Sequence, residues 1–280
     1  MNAWIRNCLF LCGVLLCTQA VAADPYAAAR ADFLAARQAQ REGQSARFEQ
    51  LAQRLRDYPL YIYLRYDPLN ARLATAGAVE IEAFLAEAAD SPLAGRLRRD
   101  RLRLLAKQQR WPEFLSLYAE GEADTELECQ YLRATQPSPP TEAWLDTVAV
   151  LWTVGHSQPE ACDAVFDTFA ASPRMTAELI WERIRLAMAE GTLSLAAFLS
   201  KSLPAEQRTW VDIWRAVHER PGSAATQPRL QTDTPPAREI LVHAAGRWAR
   251  GDALAAHDWW SSIAERYAFS AEQRAQALRA

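Results

Sequence analysis

Glycine is scarce in this chain of 280 residues, 10 in all. That is few for a fold built on phosphate-cradling loops or on a succession of tight hairpins. Lysine is nearly missing: Lys107 and Lys201 stand alone, so the cations are almost all arginine. No positive excess exists either, because 31 Lys+Arg against 34 Asp+Glu leave a net charge of −3. Nucleic acid is thereby excluded as a partner, since its binding depends on a cationic face that releases counterions. Beyond the first two dozen residues no run of 18 uncharged apolar residues occurs, so no transmembrane segment is expected. GxSxG, GxGxxG, GxxxxGK[ST] and HExxH are all missing, and the expectation is no cofactor and no catalytic residue within the chain. What remains is half hydrophobic and rich in Ala, Leu and Arg, a helix-forming composition.

Residues 1–23 have the layout of a secretory signal peptide. Arg6 precedes an apolar stretch from Cys8 to Cys17, and Ala20, Val21 and Ala22 supply small side chains before Ala23. Cleavage is expected near Ala22/Ala23, leaving an exported chain over 24–280. Leu16, directly before Cys17, is too bulky for lipoprotein processing. Export removes three of the five cysteines and leaves Cys129 and Cys162. Two thiols in an oxidising compartment most simply form a disulfide, which on the chain-entropy model stabilises the fold by about 3–4 kcal/mol. A metal site and a catalytic thiol are the competing readings. Both lack support, because the chain has no CxxC and no HxxxH, and His156, His218, His243 and His257 are scattered.

The mature sequence repeats apolar residues at helical spacing. Stripes run through Tyr26, Ala29, Phe33 and Ala36, then Leu93, Leu97 and Leu104 with Arg96, Arg99 and Arg103 opposite, facing water. Later come Ala177, Ile180, Ile184 and Ala187, then Ala237, Ile240, Ala244 and Trp248, then Ala256, Trp259, Ile263 and Tyr267. Each stripe is narrow, which predicts helices that lie against a neighbour with none buried all round. Pro92, Pro112, Pro159 and Pro204 mark helix starts; Gly43, Gly191 and Gly251 mark helix ends, where a left-handed cap needs no Cβ. Two Pro-rich stretches, 136–140 and 226–236, are expected to be loops. The fold class predicted is all-α, an irregular α-solenoid of stacked helical hairpins with a tetratricopeptide flavour but no strict 34-residue period.

Candidate chemistry is thin. Glu178 and Glu182 are i,i+4 carboxylates and, with Arg185 close by, read as a solvated helix face rather than an acid/base pair; Asp163 and Asp167 show the same spacing and read the same way. The ten tryptophans suit saccharide platforms, yet Trp181, Trp248 and Trp259 fall on or beside the apolar stripes and read as core. Tyr58, Tyr61, Tyr63 and Tyr66 line more than one helix face, which predicts a helix packed between neighbours on both sides.

The run from Asp57 to Tyr66 (DYPLYIYLRY) resembles a segment near the start of the soluble lytic murein transglycosylase (Slt) family. So do Trp111-Pro112-x-Phe114, Cys129-x-Tyr131-x-x-Ala134, the stretch Leu151-Trp152-x-x-Gly155-x-Ser157-x-Pro159-x-x-Cys162, and Trp181-Glu182-Arg183, in that order. Ile62 departs from the family, which often has Pro there. The resemblance implies a periplasmic protein whose residues 24–280 are the family's superhelical, U-shaped or ring-like U-domain, with Cys129 and Cys162 at its disulfide positions. Peptidoglycan glycan strands are the implied substrate, with cell-wall synthesis proteins as further partners. In the family a separate lysozyme-like domain cleaves the bond between N-acetylmuramic acid and N-acetylglucosamine, leaving a 1,6-anhydro end, with one Glu as acid and then base. The motifs of that domain, a Glu-Ser pair and a later Gly-x-Met-Gln, do not occur here. The chain ends at Ala280 within a helical pattern, so a C-terminally incomplete protein is expected, with no residue assigned the acid role. The alternative expectation is a free-standing, TPR-like envelope adaptor that binds a protein partner.

Overall fold

The computed structural model describes residues 24–279, and the signal-peptide assignment for 1–23 lies outside them. Among the described residues there are fifteen α-helices, three short 3-10 turns and no strand. They group into two compact units that divide at Leu97/Arg98. The first holds α1 (Ala27–Arg41), α2 (Ser45–Arg54), α3 (Tyr61–Ala71), α4 (Ala78–Glu87) and the start of α5 (Pro92–Lys107). The second continues through α6 (Trp111–Leu117), α7 (Thr125–Ala134), α8 (Glu142–Trp152), α9 (Asp163–Ala170) and α10 (Ala177–Glu190). It ends with α11 (Leu193–Ser200), α12 (Ala205–Glu219), α13 (Pro235–Ala249), α14 (Ala253–Ile263) and α15 (Ala271–Leu278). Each helix packs mainly on its neighbours in sequence, α1 on α2, α10 on α11 and α13 on α14. That is the local, hairpin-by-hairpin packing of an irregular α-solenoid.

Short polar caps cut the chain into these rods. The side chains of Thr141, Thr176, Thr234 and Asp252 each accept a backbone N–H at the start of a helix, and Ser270 with Gln273 forms a reciprocal capping box. At the other ends, Gly43 and Gly191 take left-handed backbone angles, φ +70° and +78°. Gly251 does not: its φ is not positive, and its N–H bonds back to the Trp248 carbonyl instead.

Phe33, Ala36, Leu51, Leu55 and Leu64 form a core in the first unit, flanked by Tyr58 and Tyr61. Tyr66 is buried against Phe84, Tyr63 is exposed, and α3 lies against both α1 and α4 as its tyrosine spacing predicted. In the second unit one continuous core runs from Leu132 to Phe269. Several sequence expectations change here. On α5 the buried face follows Leu97, Arg101 and Leu105, so Leu104 lies at its edge. Arg103 bonds Asp124 and Glu126 rather than water alone. On α13, Ile240, Leu241, Val242, Ala244 and Ala245 are all buried, because α12, α14, α15 and the 3-10 turns at Pro221–Ala225 and Pro228–Gln231 surround it. On α14 the buried indole is Trp260, and Tyr267 reaches the core from beyond the helix end. The stretch 136–140 is a loop, but in 226–236 a 3-10 turn forms at Pro228–Gln231 and α13 begins at Pro235.

Cys129 on α7 and Cys162, which ends the 3-10 turn Glu160–Cys162, are fully buried and joined by a disulfide across 33 residues. The bridge ties α7 to the start of α9 and so fixes one wall of the cavity described next.

Candidate functional site

The concavities of the second unit include two lined by both charged and aromatic side chains. The larger, about 610 Å³, lies among α8, α9, α10 and α11, lined by Trp152, Asp163, Phe166, Asp167, Arg183 and Phe198 among others. Arg183 comes from the buried face of α10, where an apolar residue would be expected, and only 5% of it is exposed. Its Nε donates to the Val154 carbonyl at 3.3 Å and its Nη2 to the His156 carbonyl at 3.4 Å, which pins the loop after α8. The guanidinium lies over the Trp152 ring at 4.6 Å and near the Phe166 ring at 5.8 Å. Burial alone pulls its pKa down to about 10. Among the described residues no carboxylate pairs with it. Asp163 and Asp167, one turn apart on the exposed face of α9, line the same cavity.

The second groove, about 510 Å³, lies among α10, α12, α13 and α15 and is lined by Arg185, Trp214, Glu239, His243, Gln273 and Gln276 among others. Glu239 accepts from Trp181 Nε1 at 3.1 Å and from Arg185 Nε and Nη2, each at 3.2 Å. Arg185 also bonds Glu182, three residues back. Glu182 is thus committed to an arginine, and Glu178 stays exposed, so the two share no proton. Trp181 is half-buried, with its ring against Trp214 and its N–H spent on Glu239. Trp248 and Trp259 pack on each other with centroids 5.3 Å apart. None of the three presents an open platform.

One pair escaped the sequence. His218 on α12 and His243 on α13 lie 25 positions apart, yet their rings stack and Nδ1 of one meets Nε2 of the other at 3.0 Å. Burial, then the neighbouring His218, Arg247 and Arg250, depress His243 to about 4. His218 is lowered by burial and the same two arginines. Only the packing of α12 on α13 creates this contact; no local spacing could signal it. His156 is elsewhere, beside Glu190 at 3.2 Å. Among the described residues no three His, Cys, Asp or Glu side chains converge as a metal site, and no helix is long and apolar enough to cross a membrane.

No family model matches the chain. It is 32% identical over 231 residues to the soluble lytic murein transglycosylase of Salmonella typhimurium, covering 82% of this chain and 36% of that protein. The protein of the same name from Escherichia coli is 30% identical over 225 residues, 80% of this chain and 35% of the relative. The chain therefore spans about a third of the length of the curated relatives it matches. Among solved structures, an inactive mutant of lytic transglycosylase Slt from Pseudomonas aeruginosa superposes with a TM-score of 0.75 at 30% identity, over 88% of this chain and 40% of that one. The 70 kDa soluble lytic transglycosylase of Escherichia coli gives 0.72 at 29% identity over 91% and 41%. A complex of the 70 kDa enzyme with bulgecin A gives 0.72 at 28%.

Proposed function

We propose, from the kinship of this chain with the soluble lytic murein transglycosylases, that it is the N-terminal helical scaffold of such an enzyme. It acts in the periplasm, holding peptidoglycan glycan strands for a lysozyme-like module that cuts between N-acetylmuramic acid and N-acetylglucosamine with 1,6-anhydro ends. The observation that carries this reading is agreement in sequence and in three dimensions over the same stretch: identity of 30–32% across about four-fifths of the chain and TM-scores of 0.72–0.75 across about nine-tenths. The two polar concavities suit the scaffold role. Their linings combine charged and aromatic side chains, and in the second groove the carboxylate Glu239 is committed to Trp181 and Arg185.

The experiment is direct. The purified chain is mixed with insoluble murein sacculi and sedimented, and the supernatant is searched for anhydro-muropeptides. Co-sedimentation without release is the expected result. Release of anhydro-muropeptides by the chain alone would place an acid within these residues and overturn the scaffold assignment. Failure to co-sediment would favour the envelope adaptor, which binds a protein instead.

A further inference from the structure

The cavity bordered by α9, α10 and α11 poses a problem that packing does not solve. Arg183 is buried with its charge uncompensated, although burying an unpaired ion is costly. The clamp on the Val154 and His156 carbonyls accounts for two of its nitrogens. Among the described residues Nη1 has no hydrogen-bond partner, and the side chain borders a cavity of about 610 Å³. Two carboxylates of the same lining, Asp163 and Asp167, also make no ion pair among the described residues. Trp152, Phe166 and Met175 add apolar surface to the lining, and Phe198 has 65% of its surface exposed. Such a phenylalanine at a cavity wall has no role in the core.

The lining thus offers a guanidinium, two carboxylates and aromatic surface. A glycan alone brings neither charge to meet them. A free anion would satisfy Arg183 and be repelled by the aspartates. We propose that this cavity binds a dipolar peptide, its carboxylate on Arg183, its ammonium on Asp163 and Asp167, and its aliphatic part between Phe166 and Phe198. Within the murein reading, on which the choice of ligand rests, the peptides attached to the glycan carry that combination of free carboxylate and free amine. The site would then grip the strand by its peptides. The disulfide contributes by anchoring the start of α9, Cys162 being the residue before Asp163.

The test is calorimetric titration of the purified chain with the tripeptide L-alanyl-γ-D-glutamyl-meso-diaminopimelate, against the same peptide with its carboxylates amidated and against chitotriose. Saturable binding of the free peptide is expected, weakened about tenfold by amidation, because a charge-assisted hydrogen bond to Arg183 is lost. The double variant Asp163→Asn/Asp167→Asn and the single variant Phe198→Ala should each weaken it about fivefold or more. All three residues are exposed, so misfolding is not a confounder; Phe198→Ala should leave the melting temperature unchanged and the Asp variant should lower it only slightly, through loss of the Asp163 charge in the first turn of α9. Equal affinity for the amidated peptide, or unaltered binding by the double variant, would overturn the proposal. Co-sedimentation with sacculi separates the two readings: retained sedimentation without peptide binding sinks this site alone, whereas peptide binding without sedimentation sinks the scaffold function alone.

Discussion

At the scale of single residues, Gly155 shows how little room the loop after α8 has. A Cβ there would stand 2.6 Å from the backbone oxygen of Leu186 and 2.4 Å from a carboxylate oxygen of Glu190. The glutamate can swing away; the backbone of α10 cannot. Gly155→Ala should therefore destabilise the chain by about 1–3 kcal/mol, measured by urea denaturation, and wild-type stability would refute the clash. His243 gives a second test. An unfolded imidazole takes its proton near pH 6.5, but this one, held neutral by burial, the neighbouring His218 and two arginines, does so only near 4. Between those values the unfolded chain binds more protons, so stability is complete above about pH 6.5 and falls as pH drops toward 4, by roughly 2–3 kcal/mol. His218 shifts in the same direction. Stability measured at pH 7 and pH 4.5 should fall less steeply in His243→Gln than in the wild type; parallel losses would assign the acid sensitivity to carboxylates instead. Of these features the sequence showed Gly155 and Arg183 only as members of motifs. The histidine pair and the buried charge of Arg183 come from contacts across 25 and 29 positions, beyond any local pattern.

At the scale of elements, apolar spacing located α1, α10 and much of α13 because each has one face turned to a neighbour. The same reasoning missed the broader burial of α13, since a count of stripes on one helix says nothing about how many others enclose it. It also misplaced α5 by one position, choosing Leu104 where an arginine, Arg101, lies on the buried face; long side chains can cover apolar surface while their heads find polar partners. Pairing of Cys129 with Cys162 needed only the export signal and the elimination of other cysteine chemistry. Its removal is the test at this scale. Because the bridge closes 33 residues, the double variant Cys129→Ala/Cys162→Ala should lose about 3–4 kcal/mol on the chain-entropy model. α9 should suffer most, being short and tethered at its first turn, and a midpoint of denaturation equal to wild type would show that packing alone holds it.

For the molecule as a whole, cores of unequal continuity imply unequal resistance to opening. The second unit threads its hydrophobic cluster through Ile184, Met188, Val211, Trp214 and Ile240, so α10, α12 and α13 cannot separate without exposing one another's buried faces. Around α1, α2 and α3 the cluster is Phe33, Ala36, Leu51, Leu55 and Leu64, bordered by half-exposed tyrosines and by helices of 10–15 residues whose partners are close in sequence. Local packing of this kind opens piecemeal, whereas a shared core opens only with the unit. Hydrogen exchange followed by mass spectrometry should accordingly find amides of α1 to α3 exchanging at least tenfold faster than those of α10, α12 and α13. In Gly155→Ala the protection of α10 should fall while that of α1 to α3 stays as it was, since the clash lies wholly within the second unit. Equal protection throughout the chain, or a mutation at residue 155 that loosens α1, would mean that the two units share one cooperative transition and that the division at Leu97/Arg98 has no energetic counterpart.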